Sequence, residues 1–183
     1  MLSSNASCVN AASYKESSVK MRYFFAFLVI LCPLVATAAT PGTAKGTITF
    51  NGKPKNLAYA YAWKEEDHFT KGQINTVVLL SDAKLADAQM ADRSARTEAA
   101  RTGKFTGVLV NISPKGTIDS GTFYTAVEDG YFDASGMHKW EKKTLTANKV
   151  EGKLSAPEGH FFKTSYAYSA TFDAPIGPMP KAK

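Results

Sequence analysis

The sequence predicts a mainly β protein, an antiparallel β-sandwich or partly closed β-barrel of about eight strands, with one inserted surface helix at about 83–102. Three observations carry this. Most segments beyond residue 43 alternate apolar and polar residues with a period of two. Turn sequences, Asn51-Gly52 and Ser113-Pro114-Lys115-Gly116, separate them. Only 83–102 reads differently, being dominated by Ala, Leu, Gln, Met, Glu and Arg.

Read from the N-terminus, the first patterned stretch is a leader. Met21-Arg22 precedes the apolar run Tyr23–Val35, and Ala36-Thr37-Ala38 follows. A charge, a short apolar run and small residues are the layout of a secretory signal, with cleavage expected after Ala38. The run is short for a membrane span and Pro33 interrupts it, so no stable span is expected after cleavage. Residues 1–20 precede it as an N-terminal extension, or lie upstream of a true start at Met21. The expected location is the periplasm or the outside. Both cysteines, Cys8 and Cys32, lie before the cleavage point, which leaves a mature chain without thiol or disulfide chemistry.

The remainder reads as one domain, 43–175, with a Pro-rich tail at 176–183. Gly46–Phe50 and Leu57–Trp63 flank Asn51-Gly52 as a hairpin. Leu57, Tyr59, Tyr61 and Trp63 should share one face, and Ala58, Ala60 and Ala62 the other. Ile74–Leu80 is apolar on both faces and should be a central strand. Ser81 or Asp82 can cap the helix, a break is expected near Met90–Asp92, and Gly103 is placed to end it. Phe105–Ile112, Thr117–Val127, Gly136–Leu145, Lys149–Ala156 and Phe161–Phe172 complete the strands. The tail's prolines lack the donor needed to continue a ladder.

Charge excludes one function class. The chain carries +6; removing three basic residues and one acidic residue with the leader leaves +4, spread along the chain. Nucleic-acid binding would need a clustered basic stripe, so no nucleic-acid partner is expected. No phosphate-binding loop, dinucleotide fingerprint or hydrolase motif is present, and no cofactor is expected.

Three groups of residues are candidates for chemistry. Tyr59, Tyr61, Trp63, Tyr166 and Tyr168 could floor a ligand site, or fill an aromatic core. Glu65, Glu66, Asp67 and His68 place oxygen and imidazole ligands together for a cation, or form a solvated hairpin end. Phe132, His138 and Trp140 would mark an interaction surface if exposed.

Gly46–Lys53, Tyr61-Ala62-Trp63, Val77–Asp82, Val150–Leu154 and Tyr168–Ile176 resemble a class of small exported bacterial β-rich proteins of unknown function. The resemblance covers about 46–176 and implies a bacterial envelope location and a β fold. The function expected is that of an exported non-enzymatic domain binding a small molecule or an envelope protein. The alternatives are a hydrolase using His68, His138 or His160 with nearby carboxylates or a metal, and a secreted enzyme inhibitor.

Overall fold

The computed structural model describes residues 40–181, all within one unit of the chain, Ala36–Lys183. The leader at 21–38, its cleavage point, the extension at 1–20 and both cysteines lie outside the described residues. Within them the order is β1 (Gly42–Phe50), β2 (Lys53–Glu66), β3 (Ile74–Ser81), α1 (Asp87–Met90), α2 (Arg93–Arg101), β4 (Gly107–Ile112), β5 (Ile118–Thr125), β6 (Gly130–Asp133), β7 (Lys139–Leu145), β8 (Lys149–Phe161) and β9 (Thr164–Gly177).

The strands form one antiparallel sheet in the order β6-β5-β4-β3-β2-β1-β9-β8-β7. Its two edges, β6 and β7, are consecutive in the chain and are joined by residues 134–138 alone. That link spans at most ~20 Å. The sheet must therefore curl until its edges approach, but no β6–β7 ladder closes it. The sheet is a curled, open one rather than two separate layers.

Local chemistry explains most of the elements. Asn51 and Gly52 both take positive φ (49° and 72°), the tight turn their types favour. All of β3 after Ile74 is buried, as a central strand should be. The helical stretch divides at Ala91-Asp92, because Asp92 is extended and its carboxylate accepts the Ala95 N–H as the cap of α2. Ser81 and Asp82 do not cap a helix. Ser81 Oγ accepts from the Ala83 N–H, and Asp82 Oδ1 from the Thr106 N–H, which ties the entry and exit of the helical insertion together. Gly103 ends α2 at φ 72°.

The nine strands agree with the expected count of about eight; Asp129 and Gly130, both at positive φ, turn the chain into the short edge strand β6. The expectation that the tail's prolines stop the ladder is corrected: it runs past Pro175 to Gly177. The Ile176 N–H donates to the Asn148 carbonyl, so the adjoining Pro175 nitrogen points the other way. On that side β1 has already run out, its last rung with β9 being Thr43–Asp173, and β2 takes over as the neighbour in parallel, Ala62 beside Ile176 and Trp63 beside Gly177.

Candidate functional site

The five aromatics do not form a ligand floor. Alternation puts them on opposite faces of the curled sheet. Tyr61 and Trp63, each 1% exposed, lie on the outer face with Val77, Leu79, Phe105, Leu109 and Tyr124, beneath α1 and α2, and half-buried Tyr59 packs against them. Tyr166 and Tyr168 lie on the inner face with Ile48, Phe50, Phe123 and Phe132. Leu57 also sits on the inner side, with Ala60 and Ala62, so β2 does not keep the single face expected from Leu57 to Trp63. The helices cover the aromatic side, not the alanine side. Inside the curl, Phe123 packs on Tyr166 (centroids 4.6 Å apart) and stacks on Phe132 (5.0 Å), and Phe132 stacks on Phe161 (4.7 Å). These rings fill the interior that a ligand would need.

The acidic loop is a hairpin end. Asp67 Oδ1 accepts the Phe69 and Thr70 N–H groups, and its Oδ2 accepts from Asn75 Nδ2. Desolvation raises the Asp67 pKa, but these bonds outweigh it and leave it below its ordinary value. Glu66 Oε1 accepts the Gly72 N–H, and Glu65 Oε2 accepts from Trp63 Nε1. His68 packs its ring on exposed Phe69. Among the described residues no group of three or more His, Cys, Asp or Glu could hold a metal ion.

Phe132, His138 and Trp140 are not an exposed patch. Phe132 is 1% exposed, and His138 and Trp140 are half-buried against the inner core. His138 belongs to the link that spans the open seam. Its Nδ1 shares a 2.8 Å hydrogen bond with Tyr168 Oη, and its ring stacks on Phe123. Its Nε2 is buried without a hydrogen-bond partner among the described residues, as is Trp140 Nε1. Burial lowers the His138 pKa to about 4, with the Ala134 backbone pulling weakly the other way. Burial likewise raises Tyr168. No histidine bonds a carboxylate among the described residues, and the three belong to different segments: His68 to the β2–β3 loop, His138 to the seam, His160 to β8.

Two surface features emerge that the sequence reading missed. The first is the β8–β9 hairpin tip. Phe161 pairs with Thr164, so Phe162-Lys163 is a two-residue turn. Phe162 sits there at φ 49° and 86% exposed. Its ring meets Phe161 edge-on at 4.7 Å, and Phe161 is anchored on Phe132. In the neighbouring β5–β6 turn Val127 is half exposed, and Glu128 accepts from the Thr164 hydroxyl at the start of β9.

The second feature is a furrow of about 570 Å³ across the outer face of β7, β8, β9 and β1. Among the described residues no helix covers this half of the sheet. Bulges interrupt two of its strands: Lys143 is the extra residue in β7, and the β1–β2 register shifts between Thr43 and Gly46. Register alone identifies the row at its centre, in which Lys153 of β8 and Lys45 of β1 flank Thr171 of β9. The carboxylates beside that row are already engaged, Glu141 by Lys153, Glu151 by Lys143 and Lys149, and Asp173 by Lys149. Hydrogen bonds from Lys143 hold the Glu151 carboxyl below its ordinary value.

No helix of the described residues is long and apolar enough to cross a membrane. Comparison with protein-family models, with curated proteins and with solved structures gives no match to this chain.

Proposed function

We propose that the chain is an exported, non-enzymatic β domain that binds a protein of the cell envelope by seating Phe162 in an apolar pocket of that partner. The conformation and exposure of Phe162 carry the reading. Among the described residues the other non-glycine residues at positive φ are Asn51 and Asp129, types that tolerate it. A phenylalanine there costs about 1–2 kcal/mol, and its ring gains little burial in return. A strained, exposed aromatic on a rigid mount is the form of a binding anchor. The filled interior favours a surface contact over an enclosed ligand, and the separated histidines favour binding over acid–base chemistry.

The test has two arms. Phe162→Asn should raise the melting temperature, corresponding to about 1 kcal/mol of stabilisation. A photo-crosslinking phenylalanine analogue at 162, in the exported protein within its own cells, should yield one discrete protein adduct, and the same analogue at Lys115 should not. A destabilised Phe162→Asn variant, or identical adduct patterns from both positions, would sink the proposal.

A further inference from the structure

We infer that the furrow binds an anionic oxygen group, a phosphate or sulfate ester carried by a larger ligand, through Lys45 and Lys153 with the Thr171 hydroxyl between them. This site lies on the outer sheet face and is independent of the Phe162 tip.

The argument begins with what the fold brings together. Lys45 and Lys153 are 108 residues apart in sequence, yet they occupy one row across three adjacent strands. Strands two apart are separated by roughly 9–10 Å. Two long, flexible lysine stems can converge on a group placed over the middle strand. Thr171 stands at that middle position with its side chain exposed; its hydroxyl donates to the Lys45 carbonyl at 3.3 Å, a long bond that an arriving oxyanion can replace.

The charge pattern agrees. Each carboxylate bordering the row has a lysine partner, whereas Lys45 has no ion pair among the described residues. Among the described residues Lys153 is held only by Glu141, at 3.2 Å, in a pair whose side chains are 41% and 70% exposed. Exposed pairs of this kind contribute little, so an arriving anion can take Lys153 over. Two like charges flanking one residue of a sheet repel, and an anion between them relieves that repulsion. The volume of the furrow, about 570 Å³, is the size of a small-ligand site and exceeds what a bare ion fills.

The experiment is a titration of the isotopically labelled exported protein, followed by amide chemical shifts. The probes are inorganic phosphate, glycerol phosphate and dextran sulfate. Saturable shifts are expected at Thr43, Lys45, Lys153 and Thr171. The double variant Lys45→Gln/Lys153→Gln should bind about tenfold or more weakly, and the Lys104→Gln/Lys115→Gln control should bind like the parent. Both targeted lysines are surface side chains, and an unchanged melting temperature will confirm that the variant is folded. Binding of the small phosphates assigns the site to free phosphorylated molecules, and binding of dextran sulfate alone assigns it to a sulfated polymer. Either supports the site only if the double variant loses it. No saturable shift with any probe, or equal weakening by the control pair, would overturn the inference.

Discussion

At the scale of single residues, His138 makes the sharpest demand on its surroundings. Its imidazole is packed against Phe123, with one nitrogen shared with Tyr168 and the other buried without a partner among the described residues. The folded protein therefore holds it neutral, with a pKa of about 4 against an ordinary 6.5. The unfolded chain binds a proton that the folded chain refuses, so stability is full above about pH 6.5 and falls as pH drops from there towards 4. The difference between the two pKa values corresponds to about 3 kcal/mol, and the partial exposure of the ring reduces this to about 2 kcal/mol. Thermal melts between pH 7 and 4 should show this decline, and a His138→Gln variant should show much less of it. The same ring explains Gly121, whose added Cβ would lie 1.9 Å from His138 Nε2. Gly121→Ala should displace the imidazole and cost about 1–3 kcal/mol in denaturant titrations.

At the scale of elements, the helical insertion is held by a buried cation as well as by the apolar contacts of Leu85, Met90, Ala99 and Ala100. Arg96 is buried, donates to Tyr124 Oη at 3.0 Å and to the Met90 carbonyl at 2.7 Å, and lies against the Trp63 ring. One side chain thus fastens α1 to α2 and both to the sheet. Arg96→Met would leave those acceptors unpaired and should cost about 1–3 kcal/mol. Loss of the Asp92 cap in Asp92→Ala should cost about 1 kcal/mol, both measurable by chemical denaturation. Nothing in the sequence marks Arg96 as buried, because a period of 3.6 cannot show that a buried tyrosine hydroxyl waits beneath it. Elements with a local cause were legible: the Asn51-Gly52 hairpin, the apolar strand β3, the break before Asp92, and Gly103. Those decided by distant contacts were not. Four-residue β6 is too short to show a period. The two-residue turn at Phe162-Lys163 uses residues that carry no turn signal, so the tip was hidden inside a strand. The furrow row needs a register between residues 45, 153 and 171 that only the folded sheet supplies.

At the scale of the molecule, the seam is held by side chains where a ladder is absent. Phe132 on edge strand β6 stacks on Phe161 of β8 across the interior, and it also meets Phe50, Phe123 and Tyr166. Phe132→Ala should therefore cost about 3–5 kcal/mol, and amide exchange should quicken in β6 before it does in β3. The same sheet order joins the two ends of the domain. β1, the first strand, pairs with β9, the last, over eight consecutive rungs from Thr43–Asp173 to Phe50–Tyr166. Contacts this distant in sequence form slowly, because the long loop between them must first be closed. During synthesis β1 has no access to this partner until β9 has been made. Completion of the sheet therefore waits for the arrival of its last strand, and until then β1 presents an unpaired edge.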